Sequence, residues 1–424
     1  MGSVMKTKAT LLVICLLLQL NFSTAKSVTV HVAEAGTLSS LIAPNEKYKI
    51  TDLTLSGNLN GTDIRFIREM AGRVYEGSTA SDHYEKTDGI LKNLDLSGAN
   101  IVNGGDYYVS RYFERDPYIK YYTNKNSISS YMFFDCKLKT IILPNNITSI
   151  GDGAFGNTGL TSITIPNGVT TIGQAAFHVC PELASVTIPN SVTSIGNKAF
   201  SVCPELKNIT IPNGVTTIEP MTFFECISLT SITIPNSVIS IGEMAFYLCI
   251  SLTDITIPSN VAYWGTQAFA ECTGLTNVTI GNSVTSIGYN AFAGCTGLTE
   301  IHCKSFQPAA LGSYISDNVK TTCKLYVPRG SYTAYSLAPG WSEFKNIIEE
   351  DVGAIDSIKN DKISIRSISN GICIDIKEIA SIAVYNLSGQ TVYQNIINGS
   401  AEIMLDKGVY IVRVNNESQK VIVR

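Results

Sequence analysis

The 23 residues Leu229-Thr-Ser-Ile-Thr-Ile-Pro-Asn-Ser-Val-Ile-Ser-Ile-Gly-Glu-Met-Ala-Phe-Tyr-Leu-Cys-Ile-Ser251 decide the fold, because they recur. Phe177, Phe200, Phe223, Phe246, Phe269 and Phe292 fall 23 residues apart, and so do Ile165, Ile188, Ile211, Ile234, Ile257 and Ile280. A strict period of that length is the signature of a solenoid of stacked coils. Within the quoted coil, Ile232 and Ile234 alternate with Ser231 and Thr233, the pattern of a half-buried strand. Pro235 has no N–H and ends that ladder, and Asn236 turns the chain. Val238 and Ile241 form a second short inward stretch, Gly242 reads as a sharp bend, and Phe246 with Cys249 closes the coil. One coil orders too much backbone for the few side chains it buries, so each needs neighbours and the two ends need caps.

These repeats resemble the leucine-rich repeat proteins of the BspA type, found on bacterial surfaces. The resemblance spans about residues 28–350 and rests on seven Phe turns from Phe155 to Phe292, with Ile-Thr-Ile-Pro-Asn recurring between them. Three departures stand out. Phe155 and Phe177 are 22 apart, because Phe155-Gly-Asn-Thr-Gly-Leu lacks the Cys and is one residue short. Glu219-Pro220 replaces the usual Gly, and Trp264 sits in register with Ile241 and Ile287, a core position. The expected fold is a β-rich leucine-rich repeat solenoid of 23-residue coils with N- and C-terminal caps, followed by a small C-terminal antiparallel β-sandwich.

Working outward from the repeats (131–300), residues 26–130 read as an N-terminal cap with irregular repeats. Leu91-Lys-Asn-Leu-Asp-Leu-Ser97 carries a leucine-rich signature, and Ile64 to Met70 reads as a short helix. Residues 1–25 read as a secretory signal: Lys6 and Lys8, an apolar run from Leu11 to Leu18, and Ser23-Thr24-Ala25 at the cleavage site. That run is too short to span a bilayer, and no second long apolar segment follows, so no transmembrane segment is expected after signal removal. Residues 301–350 read as the C-terminal cap, with Trp341, Phe344 and Ile347 covering the last coil.

Beyond Glu350 the period is lost, and alternating strands appear at Ile372–Ile376, Ile382–Tyr385, Val409–Val414 and Lys420–Val423. Val384-Tyr-Asn-Leu-Ser-Gly-Gln390, Gly408-Val-Tyr-Ile-Val412 and Lys420-Val-Ile-Val-Arg424 resemble the C-terminal sorting domain of type IX secretion substrates. For residues 351–424 the resemblance implies a sorting and anchoring role, with secretion machinery as a partner and a secreted or outer-surface location. An ordinary immunoglobulin-like domain is the alternative.

Of the 424 residues, only 16% are charged and the net charge is −4, so there is no basic face for nucleic acid. Cys180, Cys203, Cys226, Cys249, Cys272 and Cys295 hold one position in successive coils, with Cys136 as a seventh. A linear column of that kind reads as buried small hydrophobes. Adjacent oxidation and metal binding are the alternatives, and Cys303 with Cys323 is the first choice for a bonded pair. His31, His83, His178 and His302 match no metal or nucleophile motif, so neither an enzyme nor a cofactor is expected.

Two surfaces remain as candidates for partner binding. One is the outward strand face: Thr164, Thr187, Thr210, Thr233, Thr256 and Thr279, beside a column that includes Asn208, Asp254 and Asn277. These small polar groups either stack across strands for stability alone or form a binding face. The other is a tyrosine-rich stretch with Tyr107, Tyr108, Arg111 and Tyr112, which either covers the open end of the solenoid or contacts a partner. The family resemblance implies an adhesin for host extracellular-matrix or bacterial surface proteins. The alternative is a surface glycan-binding protein of a nutrient-uptake system.

Overall fold

The computed structural model describes residues 25–74, 85–113, 116–312, 317–350, 363–368, 371–377, 379–386, 389–415 and 417–423. All but the last residue of the signal segment therefore lies outside the described residues. The chain divides into two compact units: one runs to Ile301 and adds Ala309–Cys323, and the other holds His302–Pro308 and everything from Lys324 onward.

The first unit is the solenoid. Each regular coil lays down one short strand in each of two parallel ladders, the second of which begins at Ser127–Ile128. The first ladder opens with Ser27–Val32, Asp52–Leu59, Asn93–Ile101 and Thr140–Ile142 in one sheet. It continues through Ser162–Thr164, Ser185–Thr187, Asn208–Thr210 and Ser231–Thr233, and then Asp254–Ile257 with Asn277–Ile280. The second ladder runs through Ser127–Ile128, Ser149–Ile150, Thr171–Ile172 and Ser194–Ile195. It resumes, as a separate sheet, at Thr217–Ile218, Ser240–Ile241, Tyr263–Trp264, Ser286–Ile287 and Ala310–Leu311. Alternation puts Ile163, Ile209, Ile232 and Ile255 inside and their Ser and Thr neighbours outside.

The third turn of each coil carries the phenylalanines. From Phe133 to Phe292 the rings stack near-parallel, with centroids 5.1 Å apart at the closest step and 6.1 Å at the widest. This turn twice takes left-handed backbone, two residues before and two after each Phe: Ala175 (φ 53°) and Val179 (φ 57°), then Lys198 and Val202 (φ 57° and 59°). Such angles are costly for a β-branched residue. Hydrogen bonds to the next coil hold them, with Ala175, Phe177 and Val179 N–H donating to the carbonyls of Asn197, Ala199 and Ser201 at 2.8–2.9 Å.

Glycines of the Gly242 column serve a different purpose from the bend expected for them. Their backbone is not left-handed; a side chain simply does not fit. A Cβ on Gly196 would lie 2.6 Å from Gln174 N and 2.7 Å from Gly173 C in the preceding coil. The column is glycine so that the coils can approach.

The cysteine column is a column of buried thiols. From Cys180 onward each Sγ donates to the Phe carbonyl of the preceding coil: Cys203 to Phe177, Cys226 to Phe200 and Cys249 to Phe223 at 3.2 Å, and Cys295 to Phe269 at 3.0 Å. In the short coil Thr158 takes this place, buried, with its hydroxyl on the Phe155 carbonyl at 2.8 Å. Burial pushes the Cys226 and Cys295 thiols, and that of Cys323 in the same unit, up to about 12. Trp264 is fully buried, edge-on to Phe269 and Phe292.

The second unit holds the parallel pair Lys324–Pro328 and Asn346–Glu350 and the short helix Tyr332–Leu337, with Tyr335 packed edge-on against Trp341. His302 stacks on Tyr326 at 4.4 Å and meets the Glu350 carboxylate at 3.1 Å. The same unit contains the sandwich, in two antiparallel sheets. One is ordered Ile363–Ile368, Gly371–Ile376, Ser400–Met404, and the other Thr391–Ile397, Ala380–Asn386, Gly408–Val414, Glu417–Val423. Its core includes Ile365, Ile372, Ile374, Val384, Val412 and Val421.

Candidate binding faces

The outward face of the first ladder is built by period-two alternation alone. Thr164, Thr187, Thr210, Thr233 and Thr256 are exposed, as are Asn208 and Asp254, while Thr279 and Asn277 are half-buried. Register places Thr164 beside Thr187, Thr210 beside Thr233, and Thr256 beside Thr279. The face is thus a plate of hydroxyls, in register within each of these pairs and with little charge. Its acidic member is already engaged: Asn277 Nδ2 donates to Asp254 Oδ1 at 2.7 Å. That bond, and a second from Thr253, hold the Asp254 carboxyl below its usual range. One residue the sequence reading missed stands at the head of the Thr column: Ile142, 55% exposed, paired with Asp95.

The tyrosine stretch forms an antiparallel hairpin, Gly104–Phe113 with Asp116–Thr123. Its tyrosines part company there. The Tyr107 ring is half-buried and lies under two cations, with the Lys120 ammonium 4.7 Å and the Arg65 guanidinium 5.4 Å from its centroid. Tyr108 is only 2% exposed and donates its hydroxyl to the Ser130 carbonyl at 2.6 Å. Burial raises the Tyr108 phenol well above its ordinary value. Tyr108 therefore caps the solenoid and presents no contact surface of its own. Arg111 and Tyr112 sit on the first strand of the hairpin, but their side chains lie outside the described residues.

Capping extends beyond Tyr108. In every inner coil, carbonyls equivalent to those of Ser130, Met132 and Phe134 accept N–H groups of the preceding coil, as Asp152, Ala154 and Gly156 do from Tyr131, Phe133 and Asp135. The first regular coil has no such predecessor. Arg68 is buried on the helix Gly61–Met70 and takes over, with Nη1 3.1 Å from the Met132 carbonyl and 3.2 Å from that of Phe134. Asn60 and Asp63 form a capping box that fixes this helix, since Thr62 N–H donates to Asn60 and Asn60 N–H to Asp63 at 3.0 Å.

Outward positions of the second ladder and the turn after it carry rings that the sequence reading also missed. Tyr263 is 47% and Tyr289 56% exposed, and Ile239 is exposed near them in sequence register. Phe224 and Tyr247 stack at 5.2 Å on the outer side of the Phe turn. Tyr263 and Ile239 break Ser and Thr columns and Tyr289 a polar one, and those breaks are the signal that could have found them. His178 is half-buried; its Nδ1 meets the Ser201 carbonyl at 3.2 Å, and burial lowers its proton affinity. Among the described residues no three His, Cys, Asp or Glu side chains converge as metal ligands, and no helix is long and apolar enough to cross a membrane.

Comparison with known families now settles what the coils are. Residues 126–227 and 193–322 match the BspA type leucine-rich repeat region, in six copies. The repeats are BspA-type leucine-rich repeats. Residues 358–424 match the secretion system C-terminal sorting domain, which makes the BspA-type chain a secreted or outer-surface protein. Similar solved structures include a leucine-rich repeat protein from Bacteroides ovatus, at 24% identity over 68% of this chain and 85% of that one, with a TM-score of 0.42. Another is the T. pallidum leucine-rich repeat protein, at 29% identity over 39% of this chain and 73% of that one, with a TM-score of 0.32. A third is the pneumococcal vaccine antigen PcpA, at 18% identity over 65% and 87% of the two chains, with a TM-score of 0.30. A search of curated proteins finds no match.

Proposed function

We propose that this BspA-type protein is a non-catalytic adhesin that recognises host extracellular-matrix or other surface proteins through the first-ladder face. The observation that carries this reading is the column of exposed hydroxyls from Thr164 to Thr256, in register within the pairs Thr164–Thr187 and Thr210–Thr233. Ladder pairing holds Thr164 to Thr187 and Thr210 to Thr233, so a partner docks on these pairs with little ordering cost. The sorting domain carries the chain to the surface, where such a plate meets large partners. Label-free binding of the full mature chain to matrix proteins, glycans and bacterial surface extracts tests the reading. Saturable binding to a protein supports it, and silence toward every protein in the panel contradicts it.

A second reading, a glycan receptor for a nutrient-uptake system, is favoured by the exposed rings of Tyr263 and Tyr289 and by the half-buried Tyr107. Sugar rings pack their C–H faces on such platforms while neighbouring hydroxyls and amides take the sugar hydroxyls. Binding to glycans alone would move the assignment to this class.

A further inference from the structure

The solenoid is not continuous. Its second ladder stops at Ser194–Ile195 and restarts at Thr217–Ile218, one coil on, with no pairing between them. On one side, Thr193 N–H donates to Thr170 and Gly196 N–H to the Ile172 carbonyl at 2.9 and 2.8 Å. On the other, Ile239 N–H donates to Thr216 and Gly242 N–H to the Ile218 carbonyl at 2.9 and 2.7 Å. The first ladder thins at the same coil: Ser185–Thr187 and Asn208–Thr210 pair through Ser185 and Asn208 alone, where the neighbouring pairs hold three residues each.

The cause is in the sequence. Glu219 occupies the column where Gly173, Gly196 and Gly242 stand, and a Cβ there runs into the coil before it. Pro220 follows and has no N–H to give, so it cannot make a bond of the kind that Gln174 N–H makes to the Asp152 side-chain carboxylate at 2.7 Å. The coils therefore part, leaving an apolar crevice too narrow for water between Ile195 and the group Ile211, Val215, Ile218 and Phe223. The Phe turn does not part. Phe200 N–H still donates to Thr222 at 3.0 Å and Val202 N–H to Phe224 at 2.7 Å.

We infer that this coil is a hinged seam: the solenoid is two blocks, joined at the Phe turn, that open along the second ladder between Ile195 and Thr217. The strand face stays one sheet across this coil, held there by Ser185 and Asn208 alone. Local opening of this kind is read amide by amide through native-state hydrogen exchange.

Exchange on the full mature chain is the test. Thr216 and Glu219 amides should exchange at least tenfold faster than Thr193, Gly196, Ile239 and Gly242, while Phe200 and Val202 stay protected. Replacing Glu219→Gly together with Pro220→Asn restores the Gly196-Asn197 pair of the coil before and should slow Thr216 and residue 219 at least tenfold. If that variant fails to fold, Gly242→Glu with Glu243→Pro should open a second seam and speed the amides of Ile239 and residue 242 instead. Equal protection of Thr216 and Thr193 in the natural chain overturns the inference. So does fast exchange at Phe200, or a folded variant whose exchange at the altered coil is unchanged.

Discussion

The Tyr108 hydroxyl lies 2.6 Å from the Ser130 carbonyl, in the place where an inner coil would receive an N–H from its predecessor. With Arg68 on Met132 and Phe134, it closes the end of the repeat array. A solenoid without such a cap leaves buried carbonyls unpaired at about 1–3 kcal/mol each. Tyr108→Phe should therefore destabilise the chain by about 1–3 kcal/mol, and Arg68→Met, which orphans two carbonyls, by more. Chemical denaturation of each variant checks this. A Tyr108→Phe midpoint equal to that of the natural chain would remove Tyr108 from the cap.

The thiol column makes stability fall in alkali. Burial holds the Cys226 and Cys295 thiols at about 12, while an unfolded thiol releases its proton near about 8.5. The folded value is the raised one. Its contribution is therefore complete below about 8.5 and is lost as pH climbs from there toward about 12. Denaturation midpoints measured from pH 7 to 11 should hold level and then drop. Thiol labelling at pH 8 should leave the folded column unreacted and modify it fully after denaturation.

Close approach of the coils rests on glycine. Gly196→Ala sets a methyl against Gln174 N and Gly173 C and should cost about 1–3 kcal/mol, an overpacking effect. Thermal unfolding measures it. A variant as stable as the natural chain would mean that the coils have room to spare.

The exposed rings can be removed without harm to the fold. Tyr263→Ala with Tyr289→Ala should stay within about 0.5 kcal/mol of the natural stability at each site. If the glycan reading holds, the pair should lose glycan binding at least tenfold. Glycan-array binding of the folded double variant decides the matter, and unchanged binding there would take these rings out of the site.

Much of the fold was legible because a 23-residue period leaves every column readable down the page, from the Phe stack to the outward threonines. What escaped depends on contacts between segments far apart in the chain. Arg68 reaches carbonyls more than sixty residues away, and no local pattern shows that. Phe133 belongs to the ring stack although its coil lacks the flanking consensus. Gly242 looked like a bend because glycine has two uses, and only the neighbouring coil tells them apart. Glu219 was visible as a departure, yet its consequence needed the clash geometry of the column. Of the candidate surfaces, the Thr plate followed from alternation alone. The tyrosine stretch did not, because a hairpin sends successive tyrosines to opposite faces and buries Tyr108 while leaving Tyr107 half-exposed.

The central claim is that the first-ladder plate is the binding face. It is tested most directly by comparing the full mature chain with Thr210→Arg plus Thr233→Arg for binding to a panel of matrix and bacterial surface proteins. Both positions are exposed, so the fold should be kept within about 0.5 kcal/mol per site. The account predicts saturable binding to a protein by the natural chain and at least a tenfold loss in the folded variant. Protein binding that survives both arginines unchanged would contradict it.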